Sequence, residues 1–340
     1  MKLETKPSMI AVGFAGGAIV FGIVLWVVGI DGVVRALRDA DPAILAAVFL
    51  VATFWLLTWA LSLRTVLDVL GVSLRPSTVV PVYAAAIFAN NVTPFGQAGG
   101  EPVSAWFISE ATETRYETGL VAIASVDALH FVPSIFLGLV GLGYYAVTIT
   151  FGRQLEVVGT AVGALALAIP ALAYAGWTRR YALEERTVAV VVPAVRTVAS
   201  ALPGTDAPTE RSVRERIEEF YAGIERVAAD RRGLGFALGY SAAGWFALAV
   251  SLWLSLFALG YAVPFAATLV AIPVGDLAAF APLPGGLGGV EALLVGVLVV
   301  LPGTPGAEVI GAAVLIHRAA VYLLPTIGGG GSAAVITARR

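Results

Sequence analysis

The chain has 340 residues, 59% hydrophobic and only 13% charged, with a mean hydropathy of +0.89; a soluble domain carries roughly a quarter charged residues, so this is an integral membrane protein. Its net charge of -2 and pI near 5.8 supply no clustered basic face, which sets nucleic-acid binding aside. With no cysteine and only two histidines, His130 and His317, disulfides, thiolate metal sites and cysteine nucleophiles are excluded, and neither a metal nor a cofactor is expected.

The first apolar run, Met9 to Ile30, is longer than a signal-peptide core of about 7 to 15 residues, and no small-x-small cleavage site follows it, so it reads as a retained span. A span needs roughly 20 apolar residues. Five further segments qualify: Ala43 to Leu63, Gly119 to Thr148, Val157 to Trp177, Leu234 to Leu259, and Ala307 to Ile327. Between them lie two apolar regions, 78–110 and 264–301, each broken by proline and glycine. Each break carries the frame Pro-x-Gly-x-x-Gly-x-Glu, at Pro94 to Glu101 and at Pro284 to Glu291. Such runs cannot continue a helix, because proline lacks the amide donor and glycine raises the backbone entropy cost. Irregular backbone at membrane depth survives only where protein or a water-filled cavity covers it. Both regions are therefore assigned as re-entrant helical hairpins whose tips build a central site.

Positive charge orients the chain. The stretch 178–233 holds ten arginines, which places it in the cytoplasm. Counting spans outward from it puts Lys2, Lys6, Arg339 and Arg340, and so both termini, on the same side. The same count makes the two hairpins enter from opposite leaflets. The fold class is thus an all-α polytopic membrane protein, one integral domain over 1–340, with six spanning helices and two inverted re-entrant hairpins in an inverted-repeat core. The constant shift of 190 residues between the frames supports a duplication; the alternative is chance similarity in a chain with 38 glycines. Within the cytoplasmic segment, Val213, Ile217, Phe220, Ile224 and Val227 recur at helical spacing, which predicts an amphipathic helix over Arg211 to Arg232. Ala182 to Leu202 is expected to form another, and both are expected to rest on the inner leaflet.

Ionisable groups at membrane depth are costly and few: Glu101, Asp127, His130, Asp276, Glu291, His317 and Arg318. Pro102 suits a first helical position, so Glu101 is expected just before a helix start. Glu291 falls three residues after Gly288 and suits a cap of its own helix. Both helix starts then face the breaks, where exposed amides favour an anionic group such as a phosphate. Two readings stand for the glutamates: binding or coupling, or capping alone. Asn90, Asn91, Thr93 and Gln97 add uncharged donors and acceptors at the first break, beside Gly99, Gly100 and Ser104. Gly285, Gly286, Gly288 and Gly289 form the second break. Asp127 and His130 share a helix face. His317 and Arg318 diverge by about 100 degrees, so at most one is expected to point straight at the cavity. Arg318 is assigned to phosphate or carboxylate, which guanidinium grips bidentately; a salt bridge to Glu101, Glu291 or Asp127 is the other reading. Asp127, His130, Asp276 and His317 are assigned as coupling or structural polar groups. Signatures of hydrolases, metalloproteases and nucleotide-binding loops are missing, so no enzyme activity is expected.

Gly99-Gly100-Glu101-Pro102, the run Pro282 to Glu291, and His317-Arg318 through Tyr322 to Pro325 resemble the transmembrane-region family of lysylphosphatidylglycerol synthase, the flippase-like domain of the multiple peptide resistance factor. The resemblance covers essentially the whole chain. It implies movement of a polar lipid headgroup between leaflets of the plasma membrane, with anionic-headgroup lipids as partners and a lipid-modifying enzyme encoded separately. It also implies that the soluble aminoacyl-transferase domain is absent from a chain ending at Arg340. Similar sequences often carry an arginine shortly after the Gly-Gly-Glu motif where this chain has Ser104, which shifts phosphate recognition toward Arg318. The expected function is a flippase for a phosphate-bearing lipid, an aminoacyl phospholipid or a polyprenyl-linked sugar. A secondary transporter of a small anion and a membrane-embedded transferase component are the alternatives.

Overall fold

The computed structural model describes residues 29–93, 96–148, 210–281 and 283–338, with isolated positions between 19 and 26 and between 159 and 179. The expected helix Ala182 to Leu202 lies outside these residues, and the expected spans Met9 to Ile30 and Val157 to Trp177 are described only at scattered positions. Among the described residues the protein is all helical, and four helices are long and apolar enough to cross a membrane. It is a multi-pass membrane protein. A short helix α1 (Ile30–Arg38) precedes the first of the four, α2 (Pro42–Val69). Then come α3 (Pro76–Val92), α4 (Gly96–Thr112) and the long α5 (Tyr116–Thr148), which continues through Pro133. After α6 (Glu210–Ala229) follow α7 (Arg231–Ala258), α8 (Phe265–Asp276) and α9 (Gly289–Val300). The last long helix comprises α10 (Ala307–Arg318), a π-helical turn at Ala319–Leu323, and α11 (Leu324–Ala338). It outruns the expected end at Ile327 because Thr326 and Ser332 fold back onto carbonyls four residues earlier and no proline follows Pro325 to stop it.

The sequence dictates the ends of α2 and α7 in the same way. Asp41 accepts from the amides of Ala43 and Ile44 at 2.8 and 3.3 Å, and Asp230 accepts from Gly233 at 2.9 Å, each satisfying first-turn donors. At the far ends, Gly71 and Gly260 take φ values of 85° and 84°, the left-handed C-terminal cap that glycine adopts freely. The N-caps lie 189 residues apart and so do the C-terminal glycines. The first residues of α3 and α8, Pro76 and Phe265, share that offset, and the last residues of α5 and α11, Thr148 and Ala338, lie 190 apart. On their outer faces the long helices expose apolar side chains, Phe49, Leu50, Phe54 and Leu57 on α2 and Val132, Phe136, Leu139 and Val140 on α5. Only a hydrocarbon solvent makes such surfaces favourable.

The most extensive packing is between α2 and α7, which run antiparallel: the Trp59 indole donates to Ser241 O at 3.2 Å, Ser62 donates to Ala237 O at 3.1 Å, and Val69 meets Gly233. Each half then lends a helix to the other. The first arm of the first hairpin, α3, packs on α11, where Gly329 lies against the Ala84 carbonyl, and the first arm of the second, α8, packs on α5, where Gly141 lies against the Ala266 carbonyl.

Both broken regions are helix–break–helix hairpins, α3 with α4 and α8 with α9. In the first, Ser104 on α4 donates to Ala86 O on α3 at 3.1 Å, so the arms run back to back. One expectation needs correction: α4 begins at Gly96, and Pro102 sits inside it. Proline there removes only the bond to the Ala98 carbonyl, while close packing of the glycine turn onto α3 favours helical backbone from Gly96 onward. In the second hairpin, 3-10 turns at Leu277–Phe280 and Pro284–Gly286 join the arms.

The amphipathic helix of the arginine-rich segment is present as α6, and it is docked by ion pairs as well as by its apolar face. Arg216 and Glu117 meet at 2.6 Å, as do Arg115 and Glu219, and Gly223 packs against Val121 of α5. Glu117 is buried and also lies 3.6 Å from Arg115, whose guanidinium is held more firmly protonated by Glu219. Replacing Glu117 by Gln is expected to loosen α6 from α5, read as faster limited proteolysis at its arginines. High salt is expected to narrow the difference from the parent by screening the exposed partners.

Candidate functional site

The two hairpin tips meet. A side chain at Gly285, in the second tip, would lie 2.8 Å from Asn91 Oδ1 and 3.1 Å from Asn91 Cα, in the first. Gly285 (φ 56°), Gly286 (φ 65°) and Gly288 (φ 80°) are all left-handed; this turns the chain within a few residues and delivers the start of α9 to the junction. Beside the junction lies a cavity of about 160 Å³. It draws on α2, α3, α5, α7, α8, α9, α10, the second tip and the π-helical turn.

Glu291 organises the second tip. Its Oε2 accepts from the Gly288 amide at 2.6 Å, capping α9, and its Oε1 accepts from Arg318 Nε at 2.7 Å. Arg318 Nη2 donates to Gly285 O at 3.1 Å, and the guanidinium lies 5.0 Å above the Tyr322 ring. The Tyr322 hydroxyl donates to Asn91 O at 3.1 Å, and Asn91 Nδ2 donates to Thr326 Oγ1 at 2.7 Å. This chain of bonds ties the second tip to the last long helix and thence to the first tip. The π-helical turn lies between Arg318 and Thr326: the Pro325 ring would collide with the Val321 carbonyl in a regular helix, and the wider turn relieves it.

The capping reading of Glu291 and the salt-bridge reading of Arg318 are realised together. The carboxylate caps its helix and pairs with the guanidinium. Those two bonds use Nε and one Nη2 hydrogen of a group with five donors, and Arg318 lines the cavity. Of the other expected residues, Asn90, Asn91, Asp127, His130, Asp276, Gly285 and His317 also line it. His317 and Arg318, adjacent on α10, both border it. His317 Nδ1 lies 2.9 Å from Ser251 Oγ. His130 stacks on Trp59 with centroids 3.9 Å apart.

The remaining expected residues shape the hairpins from behind. Thr93 bonds the Ala89 carbonyl of its own helix, and Ser104, fully buried, clips the two arms together. Gly99 and Gly100 lie within α4, Gly100 hard against Asn90; Gly286 and Gly289 pack on Ala278. The Gln97 side chain lies outside the described residues. Four aromatic groups that sequence reasoning did not assign, Trp55, Trp59, Trp245 and Tyr83, form much of the wall with Tyr322. Trp55 and Trp59, one turn apart on α2, were the available signal. Among the described residues no group of three His, Asp or Glu is placed to hold a metal ion.

The profile of the lysylphosphatidylglycerol synthase TM region family matches residues 10–329. The chain belongs to that family. A UPF0104 membrane protein of Methanothermobacter thermautotrophicus is 27% identical over 331 residues, 96% of this chain and 93% of the relative. The UPF0104 membrane protein PH1989 of Pyrococcus horikoshii is 24% identical over 91% of each chain. Membership in this family supports a function connected with membrane lipids.

Proposed function

We propose that this protein is a lipid translocase, not an enzyme, which moves a phosphate-bearing polar lipid between the leaflets of the plasma membrane. The observation that carries the reading is the polar junction of the two hairpin tips, with Arg318, Asn90 and Asn91 lining a cavity whose wall also holds aromatic groups. The headgroup phosphate is held by Arg318 with Asn90 and Asn91 beside it, while the acyl or prenyl chains stay in lipid. The hairpins are re-entrant: α3 and α4, 17 residues each, reach about 26 Å, short of a ~30 Å hydrocarbon core. The matched element offsets, the antiparallel α2 and α7, and the exchange of first arms between halves support an inverted repeat, the construction of alternating-access transporters. The arginines of α6 favour a cytoplasmic position for that side of the molecule and for both termini.

The test is reconstitution in liposomes with labelled anionic phospholipids and polyprenyl-phosphate sugars. The parent is expected to speed leaflet exchange of one class well above protein-free vesicles, and Arg318→Lys to slow it about tenfold, because an ammonium cannot reproduce the forked contact. Exchange of no lipid class, with uptake of a soluble anion instead, would replace this reading with an anion transporter.

A further inference from the structure

One edge of the cavity is closed by two phenyl rings. Among the described residues that line the cavity, Phe280 alone is exposed, at 43%; the others are buried or half-buried. Its ring stacks on that of Phe131, with centroids 6.0 Å apart and planes inclined by 19°, and Phe131 lines the cavity too. Successive residues of a helix diverge by about 100 degrees, and here α5 passes from inside to outside. His130 is buried against Trp59, Phe131 is half-buried, and Val132 and Phe136 belong to the exposed apolar face of α5. The two rings therefore stand between the cavity and that face, one carried by α5 and the other by the second hairpin. The residues 190 positions away, Val321 and Asn90, also line the cavity, but Val321 is buried, and their neighbours Tyr322 and Asn91 are hydrogen-bonded to each other. Stacked phenyl rings, by contrast, are held by dispersion and leave no polar group unpaired when they part.

We propose that Phe131 and Phe280 form the portal through which a lipid enters the cavity, the rings parting around its hydrocarbon chain while the headgroup reaches Arg318. That the lipid is then moved rests on the translocase reading above; the chain-binding cleft between the rings does not. A chain drawn through water would forfeit the burial of every methylene. A lipid with its head in this cavity therefore keeps its chain in a breach of the wall, and these rings bound the edge that already meets the apolar face. Acyl and prenyl chains share the chemistry required, a flexible apolar chain without hydrogen-bonding groups.

The protein has no cysteine, so introduced thiols are unique. Phe131→Cys carrying a benzophenone label is illuminated in phosphatidylcholine vesicles that contain phosphatidylglycerol in one arm and a polyprenyl phosphate in the other. It is expected to capture lipid, the mass of the adduct telling an acyl from a prenyl chain. Capture by labelled Phe136→Cys but none by Phe131→Cys would overturn the portal. So would ready labelling of Phe131→Cys by a membrane-impermeant thiol reagent, which would make this edge an aqueous mouth. In Phe131→Cys/Phe280→Cys, a short bifunctional methanethiosulfonate is expected to lower lipid exchange to the protein-free rate, a reductant to restore it, and the cysteine-free parent to ignore the reagent. Undiminished exchange by the bridged protein would overturn passage between the rings. Capture at Phe131→Cys with no lipid exchanged by the parent would keep the chain-binding cleft and sink the translocase reading.

Discussion

Arg318→Met is expected to destabilise the folded protein by about 3 to 5 kcal/mol, because it strands a buried carboxylate. The Glu291 side chain is only 3% exposed and that of Arg318 14%, so water cannot take over. The loss is read as a fall in midpoint in denaturant or thermal unfolding of the purified protein, alongside the parent. Adding Glu291→Gln is expected to recover most of it, since an amide leaves no charge behind and still offers an oxygen to the Gly288 amide. A double variant no more stable than Arg318→Met alone would show that packing over Tyr322, not charge compensation, is what Arg318 supplies. In either background lipid exchange is expected to stay low, because the guanidinium that lines the cavity is gone.

Gly100→Ala is expected to open the first hairpin. A methyl there would fall 2.5 Å from Asn90 Cα and overlap the Asn90 side chain; backbone cannot retreat as a flexible side chain would. Overpacking of this kind costs about 1 to 3 kcal/mol, and the displaced residue is one that lines the cavity. The expected outcome is a lower unfolding midpoint together with loss of lipid exchange. Asn90→Gly in the same chain is not expected to restore stability, because the clash with Cα remains. Retention of the parent's midpoint by Gly100→Ala would mean that the arms of the hairpin stand farther apart than their packing implies.

Long-range geometry separated what was legible in the sequence from what was not. The apolar runs from Ala43 and Leu234 gave α2 and α7 to within a few residues, since twenty apolar positions in a row have few other fates. The capping of α9 by Glu291 was legible too, because the residues involved are three apart. The start of α4 was missed: Pro102 marks a helix start by local rules, whereas packing of Gly100 onto Asn90 sets it at Gly96. The π-helical turn escaped notice because Pro325 alone does not distinguish a kink from a widened turn. Arg216 with Glu117 joins distant elements, and no spacing rule reaches across 99 residues.

The exchange of first arms between the halves has a consequence for biosynthesis. When the ribosome has made only the first half, α3 has no α11 to lie on, and α5 waits uncovered for α8. Neither half has a finished interior until the other has entered the bilayer, so a chain cut within the arginine-rich stretch should yield two fragments that mature only by meeting.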